Sequence, residues 1–351
     1  MLALILSIAS ATPAKNDIKV ASASEKVERS TTVDAHASIT LCVMSGKLTV
    51  RGWDKNEVRA RSTDVDQLDF RRVDKAKDLS TPPSRVDVMV TAKHSPKGDC
   101  QALADVEMDV PKGATVQVQT RDGDIYISGI AGAYAGSQNG DIVIERVSQF
   151  VEAGSVGGSI SLKNSTGRIN LSSAGGGVEV NNVQPLTSED TFEVGTVSGD
   201  IQLDHVSNAK VSAKTVNGTV TMAGPLAHAG WYGFTTMGGD VVLMMPHDAS
   251  FTLNAKVSEK GDIVSEFPLK YLPEAPAAPV SKPKTVPAVP KAAPATPSPK
   301  SPAARMGPVI APIIVKPVVV NSFKRINAVC GTGDATISIS SFGGTLQLRK
   351  M

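Results

Sequence analysis

Residues 120–147 read TRDGDIYISGIAGAYAGSQNGDIVIERV. They say nearly the same thing twice. Asp122-Gly123-Asp124-Ile125-Tyr126-Ile127 returns as Asn139-Gly140-Asp141-Ile142-Val143-Ile144. Each copy is a turn step, an acid and a short alternating stretch. Alternation with a period of two marks a strand that buries one face. Asn-Gly and Asp-Gly are turn-forming pairs. A chain written this way builds one β unit and then builds it again.

The same grammar recurs along the chain. It reads FVEAGSVGGSISLKNS at 150–165 and TFEVGTVSGDIQLDHV at 191–206. Further copies fall at 209–224, 230–245, 250–267 and 335–350, and a compressed version with two glycine turns occupies 165–183. Successive turn glycines are commonly 17 to 22 residues apart, and a fixed period near 20 is the mark of a repeat architecture. Ile125, Ile127, Ile142, Ile144, Ile160, Leu162, Ile201, Leu203, Val220, Met222, Val241 and Leu243 form the predicted buried set. Tyr126, Val143, Ser161, Gln202, Thr221 and Val242 face out. No helix-length segment of period 3.6 is visible between residues 30 and 270.

Two all-β folds fit. In a single-stranded β-helix, or β-solenoid, each unit is one coil, and Gly123, Gly140, Gly158, Gly199, Gly218, Gly239 and Gly261 stack at one corner. In an antiparallel β-sandwich or meander the same glycine steps are type I′ hairpin turns. The near-constant unit length and the aliphatic core favour the solenoid, with special end units closing its open edges. The acid after the glycine, at Asp124, Asp141, Asp200, Asp240 and Asp262, is read as turn chemistry, bonding its own local backbone. The competing reading is a calcium ladder, because stacked carboxylates repel unless a cation lies between them. Against it, the position holds Ser159, Arg168 and Thr219 in other units, and the calcium-binding G-G-x-G-x-D repeat is absent.

The 351 residues are enough for two or three ordinary domains or one long repeat domain. Aromatic residues make up only 4% of the chain, so aliphatic side chains must fill the core. A net charge of +2 gives no reason to expect nucleic-acid binding. The apolar run Leu2–Ile8 leads into small-residue cleavage patterns, so residues 1–14 resemble a secretory signal peptide. No other segment approaches the length of a membrane-spanning helix. The solenoid is expected over 30–272. Residues 45–61, 86–92 and 105–118 supply early strands, and 62–85 reads as charged and irregular. A Pro/Ala/Lys-rich insertion occupies 273–318; such a stretch cannot bury a core and favours extended conformations. Residues 319–351 then resume the grammar as a final coil. Of the three cysteines, Cys42 and Cys100 are the expected pair in an exported chain; three unpaired, small apolar side chains is the other reading.

No chemistry-bearing motif stands out. The five histidines, His36, His94, His205, His228 and His247, form no metal-ligand pair, and the glycine steps open strands where a phosphate cradle needs a helix. No catalytic, cofactor or metal residue is assigned. Outward acids such as Glu145 or Asp204 could imitate a solenoid lyase or glycosidase, but single acids on a solvated face usually serve solvation. Trp231 and Tyr232 are the best exception to a general lack of outward aromatics.

The stretch VPKGATVQVQTRDGDIYISGI, the units NGDIVI and SGDIQL, the early SGKLTVRGWDKNEVRARS and the closing ISSFGGTLQLRK resemble a bacterial β-strand-repeat family known as putative adhesin, a domain of unknown function. The likeness covers about residues 38–272 and 322–350. It implies an exported, right-handed β-helix-like domain without known catalytic residues; the Pro/Lys insertion departs from the usual pattern. The expected function is a non-enzymatic adhesin or interaction scaffold, periplasmic or at the cell surface, with an envelope polymer or surface protein as partner. The alternatives are a polysaccharide-active enzyme and an envelope-stress regulatory scaffold that pairs through its end coils. The ligand and the oligomeric state are left open.

Overall fold

The computed structural model describes residues 26–63, 65–74, 80–92, 100–258, 261–273 and 323–351. The expected leader, 1–14, and nearly all of the Pro-rich insertion lie outside them. Among the described residues every regular element is a β-strand. The chain divides into two compact units, 1–143 and 144–351.

In the second unit the strands alternate between two sheets. One sheet runs, in spatial order, Ile160–Thr166, Val178–Gln184, Ile201–Val206, Val220–Ala223, Val241–Met245, Leu346–Lys350 and Ile263–Ser265, all parallel. The other runs Phe150–Ser155, Arg168–Ser173, Thr191–Ser198, Lys210–Asn217, Trp231–Thr236, Ala335–Ser341 and Phe251–Ser258, again parallel. The chain makes one strand in the second sheet, turns at glycine, makes one strand in the first and begins the next coil. Parallel pairing of successive units selects the solenoid over the antiparallel meander. All twelve predicted inward residues are buried. Those of the second unit share its core with a second row from the other sheet, including Ile169, Leu171, Phe192, Val211 and Phe234. Each such large side chain contributes on the order of 1.5–3 kcal/mol by leaving water.

The coil at 335–350 does not stand last in the stack. Its strands pair with Trp231–Thr236 and Val241–Met245 on one side, and with Phe251–Ser258 and Ile263–Ser265 on the other. The 335–350 coil, later in sequence than either neighbour, is therefore inserted between 231–245 and 251–265. Phe251–Ser258 is covered in turn by the antiparallel strand Phe323–Cys330, and that by Lys270–Tyr271. Switching to antiparallel pairing ends the repeat and shields the open edge.

In the first unit Ser38–Ser45, Thr115–Asp122 and Gly132–Ser137 are parallel neighbours, as are Leu48–Trp53 and Ile125–Ser128. Antiparallel strands flank both sheets: Val65–Arg72 on Arg85–Ala92 in one, and Val27–Thr32 on Glu57–Ser62 in the other. The strand Val65–Arg72 corrects the reading of 62–85 as irregular. Its register shifts between Val65 and Gln67, which breaks the period-two pattern that would have revealed it. Cys42 and Cys100 form a disulfide, and Cys330 is free and buried.

Candidate functional site

The repeated glycines, hydroxyls and acids converge at one corner of each coil. A Cβ on Gly218 would lie 2.0 Å from the carbonyl oxygen of Gly199, and one on Gly239 would lie 2.1 Å from that of Gly218. Gly199 stands in the same relation to Gly176, Gly176 to Gly158, Gly344 to Gly239 and Gly261 to Gly344. In the first unit Gly123 abuts Gly46, and Gly140 abuts Gly123. Close backbone approach is what glycine permits here.

Three residues before most of these glycines sits a buried hydroxyl. Thr215 Oγ1 donates to Gly199 O at 3.1 Å, Thr196 Oγ1 to Gly176 O at 2.9 Å, Thr236 Oγ1 to Gly218 O at 3.0 Å and Ser173 Oγ to Gly158 O at 2.9 Å. The glycine carbonyl, turned out of the strand ladder, thus has a partner from the next coil. Thr120 Oγ1 occupies the same position without one. The signal was present in the sequence as [ST]-x-x-G, and the motif reading passed over it.

The acid after the glycine acts between coils. Asp124 Oδ1 accepts the Asp141 N–H at 3.0 Å, Asp200 Oδ1 the Thr219 N–H at 2.8 Å and Asp240 Oδ1 the Thr345 N–H at 2.7 Å. Turn chemistry in the sequence reading meant a bond to the residue's own turn; here the bond reaches the neighbouring turn. Among the described residues no group of three or more His, Cys, Asp or Glu side chains gathers as a metal site.

A second corner follows the strands of the other sheet. Arg146, Asn164, Asn182 and His205 all have φ between 50° and 55° there, and Gly224 has φ 137°. Asn182 Nδ2 donates to Asn164 Oδ1 at 2.8 Å. Glycine tolerates this region freely and asparagine and histidine are enriched in it, whereas arginine occupies it at a cost.

The two acids singled out as catalytic imitations are committed elsewhere. Glu145 pairs with Arg146 at 3.2 Å, and Asp204 binds Asn181 Nδ2 and His205 Nδ1, both at 2.7 Å. In the first unit Asp109 is held by Arg59 and Arg61 at 2.8 and 2.9 Å, and Arg59 stacks 4.6 Å over the Trp53 ring. The hydrogen bond to Asp109 pushes the Arg59 pKa further up. This cluster ties Glu57–Ser62 to Val106–Pro111 and reads as structural.

That leaves the outer face of the second unit's Phe150–Ser155 sheet. Glu152, Asn170 and Glu193 stand in register on three neighbouring strands, beside Arg168. They line a shallow hollow of about 260 Å³ together with Phe150 and Thr191. Glu152, Asn170 and Glu193 were not singled out from the sequence, because only strand register brings them side by side. Further along the same face Trp231 is 40% exposed, whereas Tyr232 is fully buried and accepts the Ala227 N–H at 2.6 Å. Burial pushes the Tyr232 phenol above its ordinary range, outweighing that bond. The dipeptide therefore splits, with only Trp231 reaching solvent.

This arrangement defines a parallel two-sheet β-solenoid whose repeated polar groups hold coil to coil and whose outer faces carry the free chemistry. The chain belongs to the Toastrack DUF4097 family, a domain of unknown function, whose model matches residues 14–274. Among solved structures it is similar to a putative adhesin from Parabacteroides merdae (11% identity, 63% of this chain and 90% of that one, TM-score 0.37). Another is a putative adhesin from Parabacteroides distasonis (10%, 64% and 91%, TM-score 0.37). A third is a putative cell adhesion protein from Clostridium sporogenes (10%, 93% and 100%, TM-score 0.18). No curated protein matches the chain. Among the described residues no helix is long and apolar enough to cross a membrane.

Proposed function

We propose that this chain is an exported, non-enzymatic solenoid that serves as an adhesin or interaction scaffold at the cell envelope, binding along a sheet face. The observation that carries this reading is the outer face of the second unit. There a parallel sheet presents polar side chains in rows about 4.8 Å apart, the geometry for meeting a polymer at many weak points. The Leu2–Ile8 run and the Cys42–Cys100 disulfide support export, since disulfides persist in oxidising compartments. The Asp row supports a structural role for the acids, because three of its carboxylates are occupied by backbone amides.

One observation favours the enzymatic alternative: Glu152 and Glu193 flank Asn170 two strands apart, which sets their backbones about 9.6 Å apart at the usual strand spacing. Glycosidases work with a pair of carboxylates flanking the scissile bond, and these two face the same hollow. Hydrolysis or elimination of an acidic glycan that is abolished by Glu152→Gln would replace the scaffold reading with this one.

The primary test is a glycan array and a cell-wall pull-down with the full chain and with a chain lacking 273–317. Binding that survives the deletion supports the coils as the binding element. Binding lost with the deletion transfers the function to the Pro-rich segment and overturns the sheet-face reading.

A further inference from the structure

The geometry points to a binding platform for an acidic, uronate-bearing polysaccharide, centred on Trp231, on the outer face of the second unit. This rests on the scaffold reading above and names the ligand class.

Five neighbouring strands build the platform: Lys210–Asn217, Trp231–Thr236, Ala335–Ser341, Phe251–Ser258 and Phe323–Cys330. None contains an Asp or a Glu. Their outward positions carry Ser, Thr and Asn around Lys210, Lys214 and the Trp231 indole. Glu193 on the adjoining strand, in register with Ser212, borders the platform beside Lys210 and Lys214; over the five strands themselves the charge is one-sided and favours an anion that spans several of them. Asp334, just before the third of these strands, faces His228 at 2.8 Å.

Trp231 supplies the shape. A Cβ on Gly233 would fall 2.4 Å from Trp231 Cη2 and 3.0 Å from Cζ2 and Cζ3. The benzo edge therefore lies over Gly233 and along the strand, with the empty side-chain position beneath it. Any larger residue at 233 would lift the ring off the sheet. A ring laid flat with one face to solvent offers apolar area beside hydrogen-bonding groups, the combination that makes tryptophan effective at wet interfaces. The C–H face of a pyranose fits it. Gly233 is in register with Ser212 and Ser338, whose hydroxyls suit ring hydroxyls, and Trp231 is in register with Lys210. Lys214 lies on the strand of Lys210, beside Thr235. Both lysines are exposed, and no ion pair engages either among the described residues. A carboxylate on the sugar resting on Trp231 meets Lys210, and one on the next residues meets Lys214. A neutral glycan would use the ring and leave the lysines idle; a small anion would use the lysines and leave the ring idle. The two together select a charged sugar chain.

The test uses the full-length chain carrying Trp53→Phe, so that Trp231 is the only tryptophan. Oligogalacturonate is titrated against it, with a neutral galactan of matched length as the other arm, at low and at moderate salt. The expected result is a change in Trp231 emission with oligogalacturonate. Trp231→Ala, followed by calorimetry, should bind at least tenfold more weakly. The Lys210→Ala/Lys214→Ala pair should bind several-fold more weakly with a flatter salt dependence. Because both lysines are exposed, that variant folds even if Trp231→Ala does not. Equal affinity for the galactan, or oligogalacturonate binding that neither variant weakens, overturns the proposal. So does no binding to oligogalacturonate at all. If that occurs while cell-wall capture by the coils persists, the platform is refuted and the scaffold reading stands.

Discussion

Replacing Gly218 by alanine should loosen one coil from the next, and the size of the effect can be worked from the corner itself. The new Cβ would sit 2.0 Å from Gly199 O, where ordinary contact begins at 3.4 Å, so the two turns must part by about 1.4 Å. Four bonds cross that joint: Gly199 N–H to Asn217 O at 3.1 Å, Ile201 N–H to Thr219 O at 2.9 Å, Thr219 N–H to Asp200 Oδ1 at 2.8 Å and Thr215 Oγ1 to Gly199 O at 3.1 Å. Adding that displacement carries each beyond hydrogen-bonding distance. At about 1 kcal/mol net per bond, the loss is about 3–4 kcal/mol. For a unit of this size that lowers the melting temperature by on the order of 10 °C. Gly195→Ala is the internal control. Gly195 lies within the strand Thr191–Ser198, and the nearest atom to an added Cβ is Lys214 O at 3.8 Å. There the substitution restricts the unfolded chain without a clash and should stabilise by roughly 0.4–1 kcal/mol. Thermal and urea unfolding of both variants, followed by circular dichroism, read the difference. Equal melting temperatures for the two variants would refute the argument that packing of coil on coil puts glycine at these corners.

Further predictions follow from other features. Cys42→Ser/Cys100→Ser opens a loop of 58 residues and should cost about 4 kcal/mol by the chain-entropy estimate, measured as a shift in the urea midpoint. Burial pushes the Cys330 thiol up, so it should react with a thiol reagent only once urea has unfolded the chain; rapid labelling under native conditions would contradict its burial. Burial holds Tyr232 protonated above the ordinary tyrosine pKa of about 10. Unfolding then releases a proton in that range, so stability should fall as pH rises from about 10 towards the raised folded value. Tyr232→Phe should flatten that limb of the stability–pH curve. Arg146 holds φ 55° in the row that contains Asn164 and Asn182, so Arg146→Asn should raise stability by about 1 kcal/mol, read from the melting temperature.

Much of the architecture was legible because the buried face repeats without interruption: Ile201 and Leu203, then Val220 and Met222, then Val241 and Leu243 all point inward as their alternation predicts. What escaped had a physical reason in each case. The register of Val65–Arg72 shifts between Val65 and Gln67, and such a shift erases periodicity locally. The Asp row signalled turn chemistry, but a sequence read along the chain does not show that the carboxylate reaches the next turn. The corner hydroxyls Thr196, Thr215 and Thr236 were visible in the letters, yet their spacing from glycine acquires meaning only once coils are stacked. The candidate face was the least legible part. Lys210, Trp231 and Ser338 come from three stretches of sequence, and only the strand register makes them neighbours.

The placement of 335–350 between 231–245 and 251–265 separates the order of synthesis from the order of stacking. Units made earlier can settle on one another as they emerge. The 251–265 turn of the solenoid has no native bed until a segment made some seventy residues later slides beneath it. It must therefore wait, with a vacant berth of one strand's width in each layer. The 335–350 segment acts as a keystone, and the timing of its arrival decides when the 251–265 coil can dock.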